Sequence, residues 1–381
     1  MTDFPTLTWT ENHTEHTARW RSENGAPPPK RVVLADDNTM NTDAAYRLAC
    51  EGTALLWRGD FQNARQMLQA LGRRIDKKPS KAQPPANAKE AFHKHRQAQA
   101  QRARILGMVL IPLDEAFTIP LRRAPDVAAA CREAYGSMPQ QKSVVSLREI
   151  LGLIGAHEWR KKGVDVPHTG GRIHPHYGVF SPARGEYIEL VATAPLPKAA
   201  LTDGAFDIGT GTGVLAAVLA RRGVQRIVAT DLSDTALTCA AQNIEQLGVS
   251  AQVELQKTDL FPQGQAPLIV CNPPWLPAKP NAAIEYALYD EGSRMLKGFL
   301  NGLAEHLSEG GEGWLILSDL AEHLELRSRA ELLDWMAQAQ LRVIDKHDIK
   351  PAHSKVFDKA DPLHRARSKE ITSLWRLGRL V

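Results

Sequence analysis

The chain has 381 residues and a mass of 42.0 kDa, room for two domains at about 150 residues each, and its 43% hydrophobic and 24% charged content excludes fibrous and wholly disordered classes. The net charge is only +4, but residues 1–165 carry 25 basic and 18 acidic side chains while residues 166–381 carry 22 and 25, so a polyanionic partner is expected at the N-terminal part. Four cysteines without CxxC or disulfide spacing, an N-terminus unlike a signal peptide and no apolar run of roughly 18 residues point to a soluble cytoplasmic protein with no membrane partner.

Residues 1–40, with Gly25-Ala26-Pro27-Pro28-Pro29, show no clear periodicity and are expected to be irregular. Two amphipathic helices follow between Thr42 and Arg74, the second behind Asp60 as N-cap with Phe61, Ala64, Met67, Leu68 and Leu71 on one face. Residues 73–104 hold ten Lys or Arg against Asp76 and Glu90 alone, which reads either as a basic arm for a polyanion or as a solvated linker and helix. Ile105 to Ile111 reads as a buried strand. At Ser146-Leu147-Arg148-Glu149 a capping box opens a helix that ends in Arg160, Lys161, Lys162 and Gly163. The domain boundary is set near residue 165, giving an N-terminal substrate-recognition domain, 1–165, mainly helical with at least one strand, and a second domain, 166–381.

His168, His174 and His176 share one loop without a ligand set that would complete a metal site, so no metal is expected, and the loop's role is open. From residue 186 strands and helices alternate, with strands at 203–208, 226–230, 252–256, 267–271, 313–318, 341–349 and 371–377 and helices at 213–222, 234–247, 290–308 and 322–338. That pattern predicts an α/β, doubly wound, Rossmann-like parallel sheet of seven strands, with ligands beyond the carboxyl ends.

The first of these strands runs into Gly209-Thr210-Gly211-Thr212-Gly213 and then a helix, letting a ligand approach backbone closely at a helix N-terminus. The third glycine stands fifth rather than sixth, which weighs against a dinucleotide turn. Asp207 would repel a pyrophosphate but attract a sulfonium cation. Asp231, with Leu232 after it, ends the second strand where two ribose hydroxyls would be bound. Asp259-Leu260-Phe261 after the third would offer a carboxylate to an adenine amine and a ring edge to the base. One acid after each of three successive strands resembles the class I S-adenosylmethionine-dependent methyltransferases, over about residues 175–381. The resemblance implies that cofactor, held by Asp207, Gly209, Thr210, Gly211, Gly213, Asp231, Leu232, Asp259, Leu260 and Asn272.

The fourth strand delivers Asn272-Pro273-Pro274-Trp275. Two prolines fix the backbone, so that Asn272 Oδ1 and the Pro273 carbonyl can accept both N–H bonds of a planar amine and turn its lone pair outward, while Trp275 offers a face for stacking. Cys271 ends a buried strand and is not read as a nucleophile. The element resembles the signature of enzymes that methylate exocyclic base amines or protein glutamine, with Trp in place of the more frequent Tyr or Phe. Upstream, Tyr177 to Pro182 and Arg184 to Tyr187 resemble the segment before the cofactor turn in HemK-type glutamine and ribosomal RNA guanine methyltransferases, which implies Phe180 and Arg184, with Trp275, as substrate contacts. The basic connection 350–370 reads equally as a phosphate contact or a solvated loop. The leading expectation is N-methylation of an exocyclic base amine in ribosomal or transfer RNA. The alternatives are glutamine methylation of a protein such as a release factor, and a non-catalytic binding protein on the same fold. Nothing in the sequence sets the oligomeric state.

Overall fold

The computed structural model describes residues 4–23, 25–77, 84–136, 141–182, 185–280, 285, 287–352 and 354–380, and its chain divides into two units. The first comprises residues 1–85 and 93–158, the second residues 86–92 and 159–381.

The expected irregular N-terminus is instead a hairpin of β1 (Thr6–Glu11) and β2 (Thr14–Arg21), paired from Thr6–Arg19 to Glu11–Thr14. Its two turn residues, Asn12 and His13, have φ of 50° and 62°, the left-handed pair that a type I′ turn requires. Threonines alternate with Leu7, Trp9, Ala18 and Trp20, and the polar share of each strand hid the period. β3 (Arg31–Ala35), α1 (Thr42–Cys50), β4 (Thr53–Trp57) and α2 (Phe61–Asp76) follow, and Asp60 caps α2 by accepting from the Gln62 N–H at 2.8 Å as expected. α3 (Ala88–Leu106) absorbs Ile105, so β5 begins only at Val109 (Val109–Leu113). α4 (Ala128–Tyr135), β6 (Ser143–Ser146) and α5 (Leu147–Lys162) complete the unit's elements. Their strands form one six-stranded sheet in the order β1-β2-β6-β5-β4-β3. Helix residues outnumber strand residues, but the core is organised by that sheet, not by a helical bundle: Leu7, Trp20, Leu56, Leu110 and Val144 meet on one face.

The capping box expected at Ser146 does not form, because Ser146 belongs to β6 and its Oγ is buried without a partner. Glu149 turns inward and accepts from Tyr135 Oη at 2.7 Å and the Glu23 N–H at 3.2 Å. Burial pushes its carboxyl above the ordinary range against both hydrogen bonds. At the other end α5 closes as predicted, with Gly163 at φ 68°.

The second unit opens with the antiparallel pair β7 (Val164–Val166) and β8 (Gly171–Ile173), then α6 (Glu186–Thr193) and α7 (Lys198–Asp203). The wound part runs β9 (Ala205–Ile208), α8 (Val214–Arg221), β10 (Ile227–Asp231), α9 (Asp234–Gln246), β11 (Val253–Lys257), β12 (Ala266–Cys271), α10 (Arg294–His306) and β13 (Leu307–Ser318). It ends with α11 (Leu320–His323), α12 (Arg329–Gln338), β14 (Leu341–Ile349), α13 (Ser354–Phe357), α14 (His364–Arg367) and β15 (Thr372–Arg379).

These seven strands, β9 to β15, lie in the order β11-β10-β9-β12-β13-β15-β14. The expected doubly wound sheet is present with one difference: β15 is antiparallel to both neighbours, β13 and β14. No long crossover helix joins β14 to β15, so the chain returns from the same edge reversed. The helix expected at 322–338 is two pieces, with Glu325 at φ 55° between them and a Ser328–Glu331 capping box restarting it. β12 is buried along its whole length: Leu268 and Val270 face the layer containing α8, Ile269 and Cys271 the layer containing Phe299 and Leu303 of α10. The strand order reverses between β9 and β12, which opens a crevice at their carboxyl ends. Among the described residues no helix is long and apolar enough to cross a membrane.

Candidate active site

Two loops meet that crevice. After β9 the chain turns through Gly209, Gly211 and Gly213 at φ of 72°, 56° and 79°, a region glycine enters without strain. Their surroundings separate them. A Cβ on Gly209 would stand 2.5 Å from Met295 Cε, and one on Gly213 would stand 3.2 Å from Ala240 Cβ of α9, whereas one on Gly211 meets nothing within 4 Å. Gly211 therefore borders open space where a ligand can reach backbone, while Gly209 and Gly213 are explained by packing. Thr210 ties the turn to β10 through its N–H on the Thr230 carbonyl at 2.8 Å.

Asp207, 1% exposed, braces the same turn: its Oδ2 accepts from Thr210 Oγ1 at 2.6 Å and from the Ala216 N–H at 3.1 Å. Burial pushes its carboxyl up to about 6; the two hydrogen bonds oppose the rise and the charge of Asp231 adds to it. Asp231 is half-buried at the end of β10, its Oδ2 accepting from the Gly211 N–H at 3.0 Å and its Oδ1 from the Ser233 N–H at 2.9 Å. Leu232 beside it is 54% exposed, an apolar surface next to a carboxylate. Asp259 is exposed and paired with Arg294 at 2.6 Å. Leu260, at φ 67°, packs against Gly298 of α10, and its carbonyl accepts from Thr230 Oγ1 at 2.6 Å. Phe261 stacks on Phe299 and His306 at centroid distances of 5.8 and 4.3 Å.

At the end of β12, Asn272 is half-buried and Pro273 buried. Trp275 is not a free face. Its indole Nε1–H donates to Asn272 Oδ1 at 2.9 Å, and its ring packs against both core layers of the sheet. Asn272 thus keeps one of its two carbonyl lone pairs for another donor. Burial raises the Cys271 thiol well above its ordinary range, so it is held as the thiol.

Phe180 is half-buried in a loop anchored on α9 by Val179 against Ala236 and Cys239; Arg184 lies outside the described residues. The three loop histidines separate, His168 Nε2 meeting Glu189 at 2.6 Å, His174 Nδ1 the Arg160 carbonyl at 2.7 Å and His176 Nε2 Gln242 at 2.9 Å. In the 350–370 connection Arg367 is paired inward with Asp361 at 2.8 Å, which leaves Lys350, Lys359, Arg365 and Lys369 exposed among the described residues.

Sequence reasoning missed Asp290. This buried residue caps α10, accepting from the Met295 and Leu296 N–H groups at 3.1 and 3.2 Å, and its own N–H donates to the Leu276 carbonyl at 2.9 Å, so it ties the segment after Trp275 to the helix below. Its signal was the cap-like run Asp290-Glu291-Gly292-Ser293 inside the predicted helix.

Residues 198–318 match the family model of ribosomal protein L11 methyltransferase (PrmA). Over 120 residues, 28% of this chain, the sequence is 37% identical to a release factor glutamine methyltransferase of Cereibacter sphaeroides, of whose length it covers 43%. Over 177 residues, 44% of this chain, it is 27% identical to a tRNA1(Val) (adenine(37)-N6)-methyltransferase of a Shewanella species and covers 70% of it. The crystal structure of a ribosomal protein L11 methylase from Lactobacillus delbrueckii subsp. bulgaricus aligns with 53% of this chain and 81% of its own at a TM-score of 0.36 and 20% identity. The family match covers β9 to β13, the strands that carry the glycine turn, the acids and Asn272. The second unit has the Rossmann-like fold of class I methyltransferases, and the part of it that carries the glycine turn, the acids and Asn272 is similar to S-adenosylmethionine-dependent methyltransferases.

Proposed function

We propose that the protein transfers a methyl group from S-adenosylmethionine to a planar primary amine, an exocyclic base amine of ribosomal or transfer RNA. The observation that carries this reading is that Asn272-Pro273-Pro274-Trp275 leaves β12 beside the strand that enters the glycine turn, Cys271 lying opposite Ile208 where the strand order reverses. The cofactor fits what is present: open space over Gly211, a buried acid at Asp207, two acceptor oxygens on Asp231 and an exposed Leu232. When bound it supplies an electrophilic methyl group on a sulfonium. Asp207 would hold the cationic end and Asp231 the ribose hydroxyls.

The amine of a base is a weak nucleophile because its lone pair is delocalised into the ring. The remaining lone pair on Asn272 Oδ1 and the Pro273 carbonyl accept its two N–H bonds, which turns the nitrogen lone pair away from them and stabilises the positive charge that develops on it. The prolines hold these acceptors with little freedom to lose. Trp275 orients Asn272 through its indole N–H. A base in a duplex would be unstacked first, at roughly a few kcal/mol, so a loop or single strand is the expected target. The first unit, with its basic bias, serves as the substrate-recognition domain. Identity to a release factor glutamine methyltransferase supports a second reading, transfer to a protein glutamine amide, which the same two acceptors would bind. Incubating the pure protein and methyl-labelled cofactor with extract of cells lacking it separates the two. Label released by nuclease supports the RNA reading; label released only by protease overturns it in favour of glutamine.

A further inference from the structure

Residues 86–92 precede the first unit's part of α3, yet they group with the methyltransferase unit. Their turn is locked locally: Glu90 Oε2 accepts from the Ala86 N–H at 2.6 Å, Asn87 Oδ1 from the Glu90 N–H at 2.8 Å, and the Asn87 carbonyl from the Ala91 N–H at 3.1 Å. This reciprocal cap fixes the direction in which Phe92 leaves the helix. Phe92 is 1% exposed, in a cluster with Leu320, Leu324, Leu363 and Ala366, and Leu276 and Tyr289 pack at its edge. Its ring centroid lies 6.4 Å from that of Tyr289, tilted by 57°.

These partners come from three different segments at the carboxyl end of the sheet. Leu276 follows Trp275 directly and bridges to Tyr289; Leu320 and Leu324 follow β13; Leu363 and Ala366 lie in the connection to β15. We propose that Phe92 is a positioning residue for the catalytic loop: it joins the three segments and so holds the chain after Asn272-Pro273-Pro274-Trp275 in place. The backbone bonds that otherwise retain Leu276 are local, its N–H to the Leu288 carbonyl at 3.3 Å and its carbonyl to the Asp290 N–H at 2.9 Å. A ring filling the space behind them is what converts a local ladder into a fixed wall. The proposal rests on the methyltransferase reading for its effect on turnover, but not for its effect on the loop.

The test compares the full chain with Phe92→Ala and Phe92→Leu by hydrogen exchange, cofactor calorimetry and label transfer to cell extract. In Phe92→Ala, the Leu276 and Asp290 amides should exchange about tenfold faster, with amides 205–216 unchanged. Cofactor affinity should stay within about twofold, and turnover should fall about fivefold without a matching rise in KM. Phe92→Leu should restore most of both effects, and it carries the comparison if the alanine variant does not fold. Unchanged exchange at Leu276 and Asp290, or an increase spread equally over 205–216, would overturn the proposal. If the wild type labels neither RNA nor protein, the functional reading fails while the exchange data still decide the role of Phe92.

Discussion

Asp207 offers the sharpest test, because the fold holds its carboxyl at about 6 rather than 3.8. A raised carboxyl means that the native state binds more protons than the unfolded chain between these values, so its contribution to stability is fully present below about pH 3.8 and is lost as pH rises through about 6. The difference of about 2.2 units at about 1.36 kcal/mol each is roughly 3 kcal/mol against the ionised native state above pH 7. The amide introduced by Asp207→Asn cannot ionise, and its carbonyl can still accept from Thr210 and Ala216. The variant should therefore be more stable than wild type by about 3 kcal/mol at pH 7.5, about 1 M in urea midpoint for a slope near 3 kcal/mol/M, with the gap closing toward pH 4. Urea titrations of both proteins from pH 4 to 7.5, followed by tryptophan fluorescence, measure it. At the same time the variant should bind S-adenosylmethionine more weakly, since the attraction to a cation is gone. A stability gap that does not change with pH, or one of opposite sign, would refute the burial argument.

Gly211→Ala and Gly213→Ala share a left-handed strain of roughly 1–2 kcal/mol, but only the first should reduce cofactor affinity in calorimetry, because only its Cβ enters open space. Trp275→Phe keeps a ring and loses the N–H bond to Asn272; at about 1 kcal/mol for that bond, turnover should fall roughly fivefold with cofactor affinity unchanged, and full turnover would remove the orienting role. Asn272→Ala should retain cofactor binding and lose about tenfold or more in turnover. Iodoacetamide mapping of the native protein should modify Cys50 first, since Cys131 and Cys239 are buried and their thiols pushed up to about 12 and about 11.

What could be read from the sequence follows how local each signal is. The strands β9, β10 and β12 lie within two residues of their expected bounds, because short apolar runs bounded by glycines and acids mark parallel strands without reference to distant partners. The β1–β2 hairpin was hidden by Asn12-His13 where Asn-Gly would have announced it, and by threonines on its exposed face. Ser146 to Glu149 had the letters of a capping box, but Glu149 found Tyr135 and the Glu23 amide, so a tertiary partner overrode a local rule. At the site, residue types and order were legible, and the pairings were not: Arg294 reaches Asp259 across 35 positions, and Phe92 reaches Tyr289 across nearly two hundred.

An ionised Asp207 does not stabilise the fold it sits in. Asp207 is buried next to a turn that needs it as an acceptor, and the charge of Asp231 raises it further, so two carboxylates face one small space without a cation from the protein among the hydrogen-bond partners described for either. A core chosen for stability alone would place a neutral acceptor at that position. An arrangement that leaves roughly 3 kcal/mol of like-charge and desolvation energy in the unliganded protein favours a cation that enters the space, because neutralising Asp207 there recovers part of that energy on binding. A pyrophosphate would add to the repulsion. The carboxyl that serves the glycine turn as its acceptor would, on the proposed reading, also discriminate between two nucleoside cofactors by the sign of their charge, and cofactor affinity should then rise as Asp207 ionises while stability falls.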